Sequence, residues 1–369
     1  MVYKKEKSMD LSTIDPRLVD AAVDAEDIVW RNALSEPFSL HGVYYDEGFG
    51  AYRRMPKAIA VTVNPGVAGL SASTAGGRLR FRTNSPYVAI RAILPAPSLM
   101  NHMPLSGSAG FSLYQNGSYS GKYTPKMEEA IAAKETRSLA FAGIVKRRPA
   151  GGGAYDCEIY FPLYGGVREL HIGLKEGCEL LPPTPYKHKK PIVFYGSSIT
   201  QGACASRPGN DYISILSRRL DADVINLGFS GNGNAEDTML TYLEGLDAGG
   251  YVYDYNYYLD RPDRILPPHY EIYRRLRAAH PDVPIVVMDK PASGVFSQKI
   301  YEIRNGMIKA TYERALAEGD RLIGYMDSKV MMGEDPAACF VDSDHPNDLG
   351  FFRMAEGLYP ILKALLEGN

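Results

Sequence analysis

Along the first half of the chain apolar residues recur at alternate positions in short runs, and along the second half they come as continuous blocks separated by stretches of helical spacing. The run Arg78 to Thr83 sets Leu79, Phe81 and Thr83 against Arg78, Arg80 and Arg82, and Leu170, Ile172 and Leu174 alternate with His171 and Gly173. A period of two is that of a strand with one buried and one wet face. Tyr87 to Leu94, Phe111 to Gln115 and Cys157 to Phe161 read as further strands, with Gly, Pro, Asn and Ser between them. The region from about Gly42 to Leu174 is therefore expected to form a β-sandwich or jelly roll. Met127 to Glu135 is the exception, with a spacing that predicts a short helix.

The stretch Leu181-Pro182-Pro183-Thr184-Pro185 then leads through Lys187-His188-Lys189-Lys190 into the second texture. Prolines stiffen an extended connection and charges keep it in water, so a domain boundary is placed here, with residues 1–185 before it and 186–369 after it. The basic cluster reads as a solvated linker, with a contact site as the other possibility. Beyond Pro191, apolar strands read at Ile192 to Tyr195, Val224 to Leu227, Tyr251 to Tyr255, Ile285 to Met288 and Leu322 to Met326. Helices read between them, such as Asp211 to Leu220 with Ile213, Leu216 and Leu220 on one face, and a last helix runs to about Leu366 behind Asn347 or Asp348 as its cap. Alternation of this kind predicts a parallel sheet with helices on both faces, which holds ligands in the crevice beyond the carboxyl ends of its strands. Gly196, Gly231 and the loop after Tyr255 all fall at those ends.

Composition narrows the function classes. A chain of 369 residues, 45% hydrophobic, has enough apolar material for two cores. Its 41 Lys and Arg against 43 Asp and Glu leave no basic stripe for a phosphate backbone, so nucleic acid is not an expected partner. No segment approaches the roughly 20 apolar residues of a membrane span, and Met1 to Asp20 lacks a continuous apolar stretch. The four cysteines, Cys157, Cys178, Cys204 and Cys339, are too few and scattered for a disulfide framework or a closely spaced zinc site. Free thiols and a cytoplasmic location are expected, although Cys157 and Cys178 would be available to pair in an oxidising compartment, should an export signal direct the chain there.

Three segments carry candidate chemistry. Gly196-Ser197-Ser198-Ile199-Thr200-Gln201-Gly202 follows the first strand of the second half, where a serine can serve as a nucleophile; by itself such a run is also an ordinary turn. Ser198 is the candidate. A hydroxyl needs a base within about 2.6 to 3.2 Å and a third group to hold that base in the right tautomer. Asp342-Ser343-Asp344-His345 supplies both in one loop, unless His345 merely decorates the cap of the last helix. Asn226-Leu227-Gly228-Phe229-Ser230-Gly231 follows the second strand, and the N–H groups of Ser198 and Gly231 are candidate donors to an oxyanion. A side-chain amide is expected beside them, and Asn256 is the nearest.

Together these segments resemble the SGNH, or GDSL-type, serine hydrolases, whose four blocks contribute Ser, Gly, Asn and an Asp-x-x-His pair. The blocks here are Gly196-Ser197-Ser198, Gly231, Asn256 and Asp342 to His345, and the likeness runs from about Pro191 to Leu366. Gly196 to Gly209, Val224 to Gly233, Asn101-His102-Met103-Pro104 and Phe161 to Val167 further resemble a two-domain branch with a β-sandwich ahead of the catalytic domain. The resemblance implies a flavodoxin-like three-layer α/β/α domain preceded by an all-β sandwich or jelly-roll domain. It also implies a serine esterase without metal or organic cofactor, acting on a short acyl ester, with acetyl on a sugar as the leading substrate. An acyltransferase would share its residues, and a carbohydrate-binding protein with a silenced hydrolase domain is a third reading. The sequence departs from the pattern twice. Position 197 is Ser where the family name implies Asp, and the Asn expected four residues after Asp254 is replaced by Tyr258.

Four other features carry alternatives. Tyr251, Tyr253, Tyr255 and Tyr257 either pack under a helix or line a sugar-stacking groove. Arg207 either clamps a substrate carboxylate or ties down its own loop. His102 is a structural loop histidine or reaches the cleft from the sandwich, and Cys204 is expected near Ser198 without a role in catalysis.

Overall fold

A computed structural model describes residues 23–146, 153–255, 268–293 and 298–368. The alternating runs of the first half pair into two antiparallel sheets. One has the order Ile28–Asn32, Glu169–Lys175, Tyr87–Pro95, Ser138–Lys146; the other has the order Leu180–Leu181, Arg78–Thr83, Tyr155–Tyr160, Phe111–Gln115, Ser118–Tyr123, with Ser39–His41 also paired to Arg78–Thr83. Leu79, Phe81, Val88, Ile90, Leu113 and Ile172 bury themselves between the sheets, as the period of two requires. The helix Met127–Thr136 covers part of this core through Ala130 and Ala133.

The face expected to be wet is not. Arg78 is fully buried and Arg80 nearly so, because this side of the strand lies against the second domain rather than water. Arg78 ion-pairs with Asp223, donates to the carbonyl of Val224 and receives support from Tyr186 and Glu158. A guanidinium with five fixed donors can be buried at a domain contact only when such acceptors meet it.

The second half forms a five-stranded parallel sheet in the order Ala222–Gly228, His188–Gly196, Gly250–Tyr253, Ile285–Met288, Ile323–Met326. Ile192 and Phe194 pack toward Tyr212–Leu220 and the last helix, Asp348–Glu367, while Val193 and Tyr195 pack toward Asp237–Glu244, His269–Ala279 and Gln298–Ala317. Both faces of the sheet are covered, which explains why its strands read as continuous apolar blocks. The first strand of the sheet lies between the second and third, so the chain turns to opposite sides at its carboxyl end. That point is the crevice of a doubly wound sheet, and Ser198 stands there.

Two helices absent from the sequence reading, Lys57–Val63 and Pro65–Leu70, lie on the α/β sheet's layer: Met55, Ala60 and Val67 share one core with Tyr195, Leu227 and Met239. Arg54 reaches farther, donating to the carbonyls of Asn226 and Gly228 and to those of Leu70 and Ser73. Its burial lowers its pKa to about 9, and the surrounding carbonyls satisfy its donors. Tyr251 and Tyr253 are core residues against His280 and His269, not a groove; Tyr257 lies outside the described residues. The basic run near residue 188 is tied down, with Lys187 paired to Glu367 and Lys190 to Asp247, and His188 begins a strand. All four cysteines are free thiols.

Candidate active site

The serine turn is built from the strand end inward. Ser197 caps the single helical turn Ser198–Gln201, accepting from the Ile199 N–H, and its own hydroxyl donates to Asp254 Oδ2 at 2.8 Å. Thr200 donates to the same carboxylate oxygen at 3.2 Å. Asp254, 2% exposed at the end of the neighbouring strand, therefore holds the turn from beneath. A Cβ on Gly196 would meet Thr200 Oγ1 at 2.4 Å and the Asp254 carbonyl at 2.7 Å, so the chain can pass here only as glycine.

Ser198 instead points its hydroxyl to His345 Nε2, 2.9 Å away. His345 Nδ1 lies 2.8 Å from Asp342 Oδ2, and Asp342 Oδ1 accepts from the backbone N–H groups of Asp344 at 2.8 Å and His345 at 2.7 Å. An ionised Asp342 has no proton to give, so Nδ1 carries it and Nε2 is left to accept from Ser198. Burial by itself pushes the Asp342 carboxyl up, but the hydrogen bonds from the imidazole and the two N–H groups outweigh it and hold the group below its usual range. The capping role open to His345 falls to Asn347, whose side chain accepts from the Gly350 N–H.

The Asp342 to His345 loop is anchored from the next strand. Lys290, 1% exposed just past Ile285–Met288, ion-pairs with Asp344, and Ser293 Oγ donates to the Ser343 carbonyl at 2.5 Å. Burial lowers the pKa of Lys290, against the pull of Asp344. Sequence reading passed over Lys290 and Arg54 and met Asp254 only as the residue from which the third block is counted; the signal available for Asp254 and Lys290 was charge at the end of an apolar strand.

The second loop wraps over the turn. Phe229 N–H donates to the Gly196 carbonyl at 2.9 Å, Ser230 N–H donates to Gln201 Oε1 at 3.1 Å, and Gly233 packs so close to Gly196 that a Cβ would meet its carbonyl at 2.3 Å. Gly231 stands exposed at the crest with φ of 67°, a left-handed conformation that glycine adopts without strain. Among the described residues, the N–H groups of Ser198 and Gly231 donate to no neighbour. Asn256 and Tyr258 both lie outside the described residues.

The sandwich closes one side of the site. The ring centre of His102 is 5.7 Å from that of His345, so this exposed residue does reach the cleft. Ser106 Oγ donates to the Ser206 carbonyl at 2.6 Å, and Gly107 approaches Ala205 so closely that a Cβ would lie 2.3 Å from its carbonyl. On the other flank Asp348 accepts from the Ser206 N–H and from Asn210. Arg207 ties its loop to the sandwich by stacking on Tyr119 and donating to Tyr114. Buried Cys204 faces Asp342, and burial together with that carboxylate pushes its thiol up to about 12. A separate cavity of about 200 Å³ between the two parts is lined by Arg80, Tyr114, Glu158, Tyr186 and Arg218 and contains none of the residues around Ser198.

Residues 189–363 match the model of the GDSL-like lipase/acylhydrolase family, and residues 28–180 match that of the N-terminus of SGNH-hydrolase-type esterases. A Bacteroides ovatus ATCC 8483 protein named as a GDSL-like lipase is 28% identical, with a TM-score of 0.76 over 92% of this chain and 98% of that one. The salicylyl-acyltransferase SsfX3 of a tetracycline biosynthetic pathway is 20% identical, with a TM-score of 0.71 over 92% and 98%. A family two carbohydrate esterase from Clostridium thermocellum, solved with cellohexaose, is 14% identical, with a TM-score of 0.60 over 89% and 99%. No curated protein matches the chain. With an SGNH-type N-terminal domain joined to a GDSL-type α/β/α domain, the chain belongs to the SGNH, or GDSL-type, hydrolase family.

Proposed function

We propose that the protein is a serine esterase that removes a short acyl group, acetyl above all, from a carbohydrate through an acyl-enzyme on Ser198. The observation that carries this reading is the unbroken chain of hydrogen bonds from Asp342 through His345 to Ser198, at 2.8 and 2.9 Å. As Ser198 Oγ bonds to the ester carbon, its proton passes to His345 Nε2, and the imidazolium is stabilised by Asp342. The oxyanion is met by the N–H groups of Ser198 and Gly231, with Asn256 as the side-chain donor. His345 then gives its proton to the departing sugar oxygen as the ester C–O bond breaks. In the second half His345 takes a proton from water, the hydroxide attacks the acyl carbon, and Ser198 regains its proton as the acid leaves.

The sugar ester as substrate is supported by the two-part fold shared with the family two carbohydrate esterases. An acyltransferase would use the same residues, with an alcohol in place of water, and the fold is equally that of a salicylyl-acyltransferase. A screen of acetylated sugars and of p-nitrophenyl esters from acetate to octanoate, with Ser198→Ala as the control, tests the reading. Acetate is expected to exceed octanoate in kcat/KM, and Ser198→Ala is expected to be silent. A preference for octanoate would point to a lipase-like site, and faster turnover with an added alcohol would point to transfer. Asn256→Ala is expected to lower kcat by about 10² to 10³ with little change in KM, because an oxyanion contact strengthens in the transition state.

A further inference from the structure

His102, Cys204, Asp342 and His345 come from three separate loops, and one ligand atom of each lies within 4.8 Å of all the others. Imidazole, thiolate and carboxylate are the donors that zinc takes, at about 2.0 to 2.3 Å, which sets the ligand atoms of a tetrahedral site roughly 3.3 to 3.8 Å apart. Small side-chain shifts close the difference. Cys204 occupies its place at a φ of 71°, a left-handed conformation that costs a residue with a Cβ, and its side chain is buried against the triad loop rather than turned to solvent. His102 is contributed by the sandwich and is free to turn, being exposed.

We infer that this cluster binds a thiophilic divalent cation such as Zn²⁺, and that binding switches the esterase off reversibly. The inference rests on the assignment of His345 and Asp342 as base and orienting acid. Both ring nitrogens of His345 are in use, Nδ1 toward Asp342 and Nε2 toward Ser198. A metal ion on either nitrogen takes away one of those two hydrogen bonds, so the occupied site has no base for Ser198 whichever nitrogen binds. Cys204 gives up its thiol proton to solvent as the sulfur–metal bond forms, and no electron changes hands. Mg²⁺ and Ca²⁺, which prefer all-oxygen shells, have little reason to bind here.

The test is a zinc titration of the intact protein, read both by competition with a chromogenic chelator and by the rate of p-nitrophenyl acetate hydrolysis. One zinc per chain is expected, with loss of activity following occupancy and recovery on adding chelator. His102→Ala and Cys204→Ala should each weaken zinc binding and inhibition by roughly tenfold or more. Without zinc, Cys204→Ala, at a residue with no part in the reaction, should hydrolyse the ester within about twofold of the unaltered protein. With Co²⁺ as the probe, a sulfur-to-metal charge-transfer band should appear and be absent from Cys204→Ala. Absence of stoichiometric binding overturns the inference, as does binding indifferent to both substitutions, or binding that leaves hydrolysis untouched. Chelator competition does not depend on turnover, so a Ser198→Ala variant that kept its activity would overturn the triad while the zinc site was still judged on its own.

Discussion

Ser197 and Asp254 are joined side chain to side chain, the serine hydroxyl donating to the buried carboxylate at 2.8 Å, and this bond separates the roles of two adjacent serines. Ser197 faces down into the turn and Ser198 faces His345. Ser198→Ala is therefore expected to abolish ester hydrolysis. Ser197→Ala should keep kcat within roughly tenfold while lowering stability by about 1 to 2 kcal/mol, for the lost cap and buried hydrogen bond. Steady-state kinetics beside a urea melt would check both, and a silent Ser197 variant with an active Ser198 variant would exchange their roles.

His345→Ala should cost several orders of magnitude in kcat. Asp342→Asn should cost somewhat less, about 10⁴-fold, by favouring the wrong imidazole tautomer. Because its hydrogen bonds hold the Asp342 carboxyl below its usual range, any stability it contributes is present above the unfolded carboxylate range and is lost only as the pH falls through the lowered value. Thermal melts of the native and Asp342→Asn proteins should accordingly converge only in strong acid. Convergence already near neutrality would show that the carboxylate is not held as described.

Lys290 acts on the loop, not on the substrate. Lys290→Met should leave Asp344 half in water and let the His345 loop wander, lowering kcat by roughly tenfold with KM nearly unchanged. A fall confined to KM would mean that Lys290 meets the substrate instead. Lys290→Arg, which restores the charge in a bulkier form, should recover part of the loss.

Asp289 offers a test of stability away from the chemistry. Burial raises its pKa to about 6, despite hydrogen bonds from the Ser328 N–H and Tyr325, and its Oδ1 has no partner among the described residues. A carboxyl that binds its proton more tightly in the folded chain makes stability fall as the pH rises from about 4 to about 6. Asp289→Asn keeps the acceptor oxygen and removes the charge, so its Tm should exceed the native value by a few degrees at pH 7.5 and match it near pH 4. Equal melting temperatures at both pH values would show that the buried charge costs nothing.

The strands were legible because burial on one face or two leaves different periods in the sequence. Asp342 and His345 were legible because three residues of loop suffice to bring them together. Lys57 to Val63 was not, since a segment containing Ile59, Val61, Thr62 and Val63 has weak intrinsic helix preference and owes its conformation to packing on Pro65–Leu70 and on the distant helix Asp237–Glu244. The wet face assigned to Arg78 failed for a related reason: charge alternation looks the same whether the charges meet water or the acceptors of another domain. Asp254 and Lys290 meet the catalytic loops only through strand order, which local sequence does not carry.

The approach of Gly107 to Ala205, closer than any side chain would allow, has a consequence for how such a protein can change over time. A binding module on a flexible tether can be traded between enzymes without touching their chemistry. Here the loop that follows Ser198 is shaped on one flank by the sandwich and on the other by the last helix, so a foreign sandwich would meet that loop with the wrong surface. The two parts are bound to be inherited, and altered, as a pair.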